Sequence, residues 1–304
     1  MNLVALPRRY AQTRLSNGRM KNMEHRIWAL AHGRQIAIGQ TAVVMGIVNV
    51  TPDSFSDGGK VGTTEAAVRL ALELVSAGAS IVDVGGESTR PGADPVTALE
   101  EQHRVIPVVA ELARHPGVII SVDTYRAETA QIAVDAGAHI INDIWGLQRE
   151  EGIARLAARS GCGLVAMHNG RDRNKLPDPI DDQFSFFRRS IDIARATGVA
   201  DEALVLDPGF GFAKDPDENV EIICRFGELL RLGYPMLVGT SRKRFLGHVT
   251  GRPVDQRDTV TAASSAILRL RGASIFRVHD VAASVDALKL ADAILRCQGG
   301  PQKS

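Results

Sequence analysis

Eight short apolar runs recur along the chain from residue 43 onward, and a longer stretch with helical periodicity follows each of them. The predicted strands are residues 43–50, 80–85, 118–123, 139–144, 163–168, 203–207, 236–240 and 274–279. The predicted helices are residues 64–77, 98–114, 127–136, 152–159, 181–197, 217–232, 260–271 and 283–296. Because parallel strands need a crossover helix, eight such pairs in 304 residues predict an α/β fold, a single (β/α)8 TIM barrel with a short, flexible N-terminal extension.

Polar residues follow most of the predicted strands at the point where the apolar run ends. They are Asn49, Glu87, Asp123, Asn142, Asp143, His168, Asp207, Lys243, Arg277 and His279. In a barrel all strand ends converge on one face, whereas a doubly wound open sheet, the alternative fold, spreads them along a line. Neither G-x-G-x-x-G after the first strand nor G-x-x-x-x-G-K-[ST] occurs, which favours the barrel.

Composition excludes several classes of partner. The formal net charge of +1 lacks the basic excess typical of nucleic-acid-binding proteins, and no apolar run is long enough to span a membrane. The three cysteines, Cys162, Cys224 and Cys297, lie far apart with no metal-ligand spacing. We expect reduced thiols and a cytoplasmic location.

The first 21 residues form the one compositional anomaly of the chain. They contain five basic residues, and no acidic residue occurs before Glu24. An organellar transit peptide, a disordered leader and an over-long start, with Met20 or Met23 as the true first residue, all fit this pattern. The expected organisation is a leader over residues 1–22, a barrel over residues 23–298 and a tail over residues 299–304.

Two loops that follow the first two predicted strands carry candidate functional residues. The first, residues 49–59, is longer than most strand–helix connections and contains Phe55 among polar residues, which predicts a mobile substrate loop. The second, residues 85–92, combines glycines with Arg90, a side chain that binds either an anion or a surface carboxylate.

Asp123, Asn142 and Asp207 end three strands directly after apolar residues, where a buried polar group requires a partner. These side chains either satisfy one another or bind a flat heterocycle with several N–H donors and one carbonyl. Lys243 then supplies a positive charge near ring nitrogens or a carbonyl oxygen. For His168, substrate contact and a structural role stay equally open.

Arg277 and His279 alternate along the last predicted strand, so their side chains project to the same side. The last two strands of such barrels often form a phosphate site, which suits a diphosphate. Asn49, on the neighbouring first strand, offers an amide oxygen to Mg²⁺, which needs few protein ligands when substrate phosphates and water complete its shell.

Seven motifs lie at or after the predicted strands, namely MGIVNVTPDSFSDGG (45–59), GGESTRPG (85–92), SVDT (121–124), INDI (141–144), DPGFGF (207–212), GTSRK (239–243) and RVHD (277–280). They resemble those of the dihydropteroate synthase family, the pterin-binding barrel enzymes of folate biosynthesis and the target of sulfonamides. The resemblance runs from about residue 28 to residue 294. The resemblance implies a transferase that joins 4-aminobenzoate to (7,8-dihydropterin-6-yl)methyl diphosphate, with Mg²⁺ as cofactor and a homodimeric assembly.

The resemblance also implies roles for individual residues. The implied pterin ligands are Asp123, Asn142, Asp207 and Lys243. The implied diphosphate ligands are Asn49, Thr89, Arg277 and His279, with Asn49 also on the metal. The implied aminobenzoate pocket comprises Phe55, Arg90, Pro91, Ser241, Lys243 and Arg244. The implied catalytic residues are Asp57, Arg90, Asp123, Lys243, Arg277 and His279.

The sequence departs from the family pattern after the fifth strand. Many members continue Met-His with Met-Gln-Gly, whereas here Met167 and His168 lead into Asn-Gly-Arg-Asp-Arg-Asn-Lys175, which puts the fine fit of the substrate in question. Two alternatives to the synthase stay open. One is a pterin-binding paralogue without catalysis, and the other is a pterin-dependent methyltransferase acting on a corrinoid.

Overall fold

The computed structural model describes residues 26–51, 59–88 and 96–299, with the backbone alone for residues 59–63 and 299. The strands are β1 (Arg26–Ala29), β2 (Gln35–Ile38), β3 (Val43–Asn49), β4 (Ile81–Gly85), β5 (Ile119–Asp123), β6 (Ile140–Asp143), β7 (Gly163–Met167), β8 (Leu204–Asp207), β9 (Leu237–Val238) and β10 (Ile275–Val278). The helices are α1 (Gly59–Ser76), α2 (Ala98–Leu112), α3 (Ala127–Asp135), α4 (Gly152–Ser160), α5 (Pro179–Thr197), α6 (Pro216–Leu229), α7 (Arg244–Thr250), α8 (Asp258–Leu270) and α9 (Val281–Gly299).

Strands β3 to β10 form one parallel sheet in the order β8-β7-β6-β5-β4-β3-β10-β9. A single parallel bridge between Leu206 and Met236 joins the two outer strands and closes the sheet. Eight parallel strands alternating with helices confirm the predicted (β/α)8 barrel, so the carboxyl ends of all eight strands meet at one mouth.

The lower part of the barrel interior is apolar. Strand β3 contributes two buried side chains to it, and each of the other seven barrel strands contributes one. These residues are Val43, Met45, Ile81, Ile119, Ile140, Val165, Val205, Leu237 and Ile275. An antiparallel hairpin of β1 and β2 closes the amino-terminal end beneath them. Its Trp28 is buried in the same cluster and donates a hydrogen bond from Nε1 to the Ala203 carbonyl oxygen over 2.8 Å. The interior is therefore a packed core that is open only towards the mouth.

A buried ion pair ties this hairpin to the last two helices. Arg269 of α8 is fully buried and donates from Nε to Asp292 of α9 over 2.6 Å, and its Nη2 donates to the carbonyl oxygen of Gly39, just after β2. The other Asp292 oxygen accepts a hydrogen bond from the Ala42 backbone N–H at 3.0 Å. Because every charge has a partner, the pair fixes the relative positions of three elements.

The hairpin and helix α7 were not predicted from the sequence, and five predicted helices begin earlier in the structure. Helix α6 shows why, since it starts at Pro216 through a capping box in which Asp215 and Glu218 each accept a backbone hydrogen bond from the other. The predicted start at residue 217 ignored this cap.

All three cysteines lie in the described part of the chain and are unpaired, with Cys162 buried and Cys224 and Cys297 exposed. Within residues 26–51, 59–88 and 96–299, no helix combines the length and apolar character needed to cross a membrane.

Candidate active site at the carboxyl ends of the barrel strands

A polar layer lies directly above the apolar floor of the barrel, and the strand period of two residues creates it. On β4, Asp83 follows Ile81 by two positions, and on β10, Arg277 follows Ile275 in the same way. The same step leads from apolar floor residues to Ser121 on β5, Asn142 on β6 and Asp207 on β8. These five residues therefore project into the barrel from the same side of their strands.

Asp83 is the centre of this layer, and its role was not predicted from the sequence. The carboxylate is fully buried and accepts hydrogen bonds from Ser121 Oγ at 2.5 Å, Asn142 Nδ2 at 3.2 Å and Arg277 Nε at 2.6 Å. A charged residue in the middle of the apolar run Ile-Val-Asp-Val-Gly, in phase with the inward-facing Ile81, was the signal that could have revealed it.

Arg277 bridges two carboxylates across the barrel. While Nε contacts Asp83, Nη2 donates to Asp123 Oδ2 over 2.9 Å. Burial raises the pKa of Asp123 to about 7, with Asp83 adding to the rise and with Arg277 and Lys243 opposing it. Asp123 is thus able to lose or hold a proton near neutral pH.

Asp207 and Lys243 form the opposite side of the polar layer. Asp207 accepts a hydrogen bond from the Gly209 backbone N–H at 2.7 Å, and burial raises its pKa to about 6. Burial lowers the pKa of Lys243 to about 8, with Arg277 adding to the fall and Asp207 opposing it. The Lys243 ammonium lies 4.3 Å from the centre of the Phe212 ring, within the range of a cation–π interaction.

Ser241 and His279 contact each other where β9 and β10 end. Ser241 Oγ lies 2.8 Å from His279 Nδ1 and accepts a hydrogen bond from the His279 backbone N–H at 3.1 Å. Arg244 is exposed at the first position of α7, directly after Lys243. The structure thus brings Ser241, predicted for the aminobenzoate carboxylate, into contact with His279, predicted for the diphosphate.

Asn49 ends β3 beside Gly85, the last residue of β4. An ideal Cβ placed on Gly85 would lie 3.9 Å from Asn49 Oδ1 and 3.9 Å from Asp123 Oδ2. Because Gly85 has no side chain, a space is left between an amide oxygen and a carboxylate oxygen. Oxygen donors of this kind are the ligands that Mg²⁺ prefers. In the part of the chain that the structure describes, no three His, Cys, Asp or Glu side chains are grouped to hold a metal.

Five predicted site residues lie outside the described residues. They are Phe55, Asp57, Thr89, Arg90 and Pro91. Their roles stay predictions.

His168 does not join the site. Val165 and Met167 of β7 are in phase and His168 is out of phase with them, so its ring packs against α5, with the ring centres of His168 and Phe186 4.7 Å apart. Its Nε2 lies 3.0 Å from Asp182 Oδ2. Of the two roles left open for His168, the structure favours the structural one.

The arrangement is one of buried carboxylates and cations around an open mouth. Asp123, Asn142 and Asp207 offer acceptors and a donor at the mouth of the barrel, and Lys243 and Arg277 add positive charge. Groups with pKa values displaced towards neutrality and gathered in one cleft are characteristic of a functional site. Comparison with known proteins identifies the family that uses it.

A model of the pterin binding enzyme family matches residues 45–279. The dihydropteroate synthase of Bacillus subtilis (strain 168) is 45% identical over 261 residues, which cover 86% of this chain and 91% of that relative. The chain belongs to the dihydropteroate synthase family. Membership confirms the resemblance inferred from the seven motifs and makes the chain an enzyme of the transferase class.

Solved structures of dihydropteroate synthases show the same fold. The Xanthomonas albilineans enzyme with 4-aminobenzoic acid is 42% identical, with a TM-score of 0.84 over 90% of this chain and 100% of that chain. The complex of the same enzyme with 7,8-dihydropteroate is 40% identical, with a TM-score of 0.80 and the same two coverages. The polar layer described above is therefore the interior of a dihydropteroate synthase barrel.

Proposed function

We propose that this chain joins 4-aminobenzoate to (7,8-dihydropterin-6-yl)methyl diphosphate, giving 7,8-dihydropteroate and diphosphate. The observation that carries the proposal is the inward-facing layer of Asp123, Asn142, Asp207 and Lys243 above an apolar floor. This layer complements the edge of a pterin ring, which has several N–H donors and one carbonyl oxygen. Solved relatives with aminobenzoate and with dihydropteroate support the two substrates.

The pterin binds to the polar layer in this proposal. Asp123 and Asp207 accept hydrogen bonds from ring N–H groups, Asn142 pairs with the ring edge, and Lys243 faces the carbonyl oxygen or a ring nitrogen. Asp83 stays behind them, where it orients Asn142 and Arg277 through hydrogen bonds. A buried acceptor set of this kind rejects molecules that lack the matching donors.

The diphosphate binds to Arg277 and His279, with Thr89 from the second loop. Asn49 would hold Mg²⁺, and the hard oxygen donors beside Gly85 fit that ion. When bound, the metal supplies positive charge that stabilises the leaving group.

Aminobenzoate binds at the rim of the mouth. Ser241, Lys243 and the backbone at Arg244 receive its carboxylate, and Phe55, Arg90 and Pro91 complete the pocket. Asp57 of the first loop acts in catalysis together with Arg90. These roles follow the family motifs.

The reaction is a displacement at the pterin methylene carbon. The carbon–oxygen bond to diphosphate breaks, a bond to the amine nitrogen forms, and the nitrogen then releases one proton to solvent or diphosphate. Arg277 and His279 stabilise the charge that develops on the departing oxygen. If departure precedes attack, Asp123 and Asp207 stabilise a pterin-derived cation. The neutral arylamine is already nucleophilic, so no strong general base is required.

Diphosphate release with and without 4-aminobenzoate tests the proposal, with the coupled product identified by its mass. We expect release that requires aminobenzoate and a product with the mass of dihydropteroate. Arg277→Ala is the matched variant, and it should impair binding of diphosphate more than binding of a pterin without the leaving group. Tight pterin binding without product would instead identify a catalytically silent paralogue. Methyl transfer to a corrinoid would identify the methyltransferase alternative.

We infer a homodimer formed through the last two helices. Apolar side chains are exposed on their outer faces, namely Ile267 (47%) and Leu270 (37%) on α8 and Leu290 (65%) and Ile294 (37%) on α9. An exposed apolar surface of this kind is typical of a subunit interface. We also infer a cytoplasmic location, in keeping with three unpaired thiols.

A further inference from the structure

Lys214 lies beneath the turn that connects β8 to α6. Its ammonium donates hydrogen bonds to the carbonyl oxygen of Gly209 at 2.8 Å and to that of Phe212 at 3.3 Å. A third contact joins it to His168 Nδ1 at 2.9 Å. An ammonium group has three N–H donors, so each one has an acceptor.

The turn that Lys214 holds has an unusual backbone. Gly209, Gly211 and Ala213 all have positive φ, at 64°, 80° and 49°. For Ala213 this left-handed conformation costs about 1 kcal/mol, and such a conformation persists only where surrounding contacts enforce it. The carbonyl oxygens that converge on Lys214 are such contacts.

The far side of the contact is anchored in α5. Burial lowers the pKa of His168 to about 3, so the ring is neutral. Its Nδ1 accepts from Lys214 in the tautomer with the proton on Nε2, and Nε2 lies 3.0 Å from Asp182 Oδ2 and 2.7 Å from Arg173 Nη2. Asp182 also accepts hydrogen bonds from Arg173 Nη1 at 2.8 Å and from the Leu176 backbone N–H at 2.8 Å. Lys214 is thereby connected to a rigid helix through a buried histidine, and the segment that departs from the family pattern supplies the arginine.

The turn contacts two residues of the site and thereby sets their positions. The Gly209 N–H donates to Asp207 Oδ1 at 2.7 Å, which orients that carboxylate. The Phe212 ring lies against the Lys243 ammonium. A change in the turn would therefore move the partners of Asp207 and Lys243 together.

We propose that Lys214 is a positioning residue for pterin binding, which holds the 208–213 turn through His168 and thereby aligns Asp207 and Lys243. The inference rests on the proposed function, in which Asp207 and Lys243 bind the pterin.

The protonation of Lys214 then affects the site. Burial lowers the pKa of Lys214 to about 7, with Asp207 and Asp182 opposing the fall and with Lys175 and Arg173 adding to it. A neutral amine has only two N–H donors for the three acceptors around it. One of the three hydrogen bonds is therefore lost when Lys214 loses its proton. The contribution of Lys214 to pterin affinity should accordingly be lost as the pH rises through about 7, against the gain that ionisation of Asp123 and Asp207 gives.

The first test is Lys214→Met, which keeps the length of the side chain and removes its charge. We expect the Kd for the pterin diphosphate to rise about tenfold, the cost of losing a charged hydrogen-bonding partner. Affinity for inorganic diphosphate should stay within about twofold, because the hydrogen bonds of Arg277 and His279 go to Asp83, Asp123 and Ser241. Lys175→Met is the matched control, since Lys175 reaches the Ala213 carbonyl oxygen from outside the turn and pairs with Glu218.

Unchanged pterin affinity in Lys214→Met would overturn the inference, as would an equal loss of pterin and diphosphate affinity. Lys214→Arg provides a second test, because arginine stays charged. We compare pterin affinity between pH 6 and pH 9. The wild type should lose the contribution of Lys214 near pH 7, whereas Lys214→Arg should keep it. An identical pH profile in both proteins would also overturn the inference. A wild-type protein that fails to bind pterin would instead refute the proposed function.

Discussion

Arg277 and Asp83 form an ion pair inside the barrel, with 2.6 Å between Nε and Oδ2 and with the carboxylate fully buried. The pair leaves Nη2 of the arginine directed at Asp123. Asp83 therefore controls the orientation of a side chain that we assign to the leaving group.

Replacing Asp83 by asparagine should reduce kcat/KM about 10- to 100-fold, because an amide pairs less strongly with the guanidinium and misaligns it. Steady-state kinetics would measure the loss, and thermal denaturation would check folding. Ser121→Ala is the control, since it removes a neighbour of Asp83 and leaves the ion pair in place. We expect less than about a threefold loss for it. Equal kinetics in wild type and Asp83→Asn would show that the pair is dispensable.

Pterin affinity should rise with pH between about 5 and 7. The carboxyl groups of Asp207 and Asp123 have pKa values of about 6 and about 7 in the free protein, and each accepts hydrogen bonds from the pterin more strongly when ionised. Calorimetric titration across this range measures the effect. In Asp207→Asn the part of the rise centred near pH 6 should disappear. A flat profile in the wild type would contradict the assignment of both carboxylates.

Stability should depend on His139 in mildly acidic solution. Its Nδ1 accepts a hydrogen bond from the Ile120 N–H, and burial, with Arg34 and His32 adding to it, lowers its pKa to about 4. In the unfolded chain this histidine binds a proton near pH 6.5, whereas the folded protein binds it only near pH 4. The contribution of neutral His139 to the free energy of unfolding is therefore fully present above about pH 6.5 and is lost as the pH falls to about 4. We expect a loss of about 2 kcal/mol. His139→Asn, which keeps an acceptor, should lose less between these pH values in urea denaturation. An equal loss would exclude His139 as the cause.

The buried pair of Arg269 and Asp292 should contribute to stability without affecting catalysis. Arg269→Met leaves a buried carboxylate without its partner, and we expect a cost of about 3–5 kcal/mol in urea denaturation. Arg155→Met breaks an exposed pair with Glu151 and should cost less than about 1 kcal/mol. Similar values for both variants would refute the importance of burial here.

A charge at the exposed apolar face should separate the proposed dimer. Leu290→Arg introduces an unpaired cation at the most exposed of the four apolar residues, and sedimentation velocity should show a monomer where the wild type is a dimer. Val249→Arg, at an exposed apolar position of α7, is the control. A wild-type monomer would refute the proposed dimer.

Much of the fold was predictable because each barrel strand is a short apolar run with a clear boundary. The β1–β2 hairpin was not, because its four-residue strands, RIWA and QIAI, lack a clear period and owe their order to packing under the barrel. Helix α7 is seven residues long and contains Gly247, against which the Arg257 side chain packs closely. Tertiary contacts, not local propensity, stabilise both elements.

The site shows a similar division. Strand-end positions predicted Asp123, Asn142 and Asp207 because a polar residue after an apolar run is conspicuous. Asp83 was not predicted because it lies two residues before the end of β4, inside the apolar run. Its role depends on contacts with side chains from other strands. His168 was ambiguous because its position at a strand end did not settle to which side it points.

The barrel strands are paired least extensively between β8 and β9, and this junction passes through the site. Strand β9 has two residues, and a single bridge between Leu206 and Met236 joins β8 to it. Asp207 follows Leu206 on one side, and Lys243 lies beyond β9 on the other. A pterin that binds both residues would span this seam, so the substrate itself acts as a cross-link that suppresses local opening of the barrel.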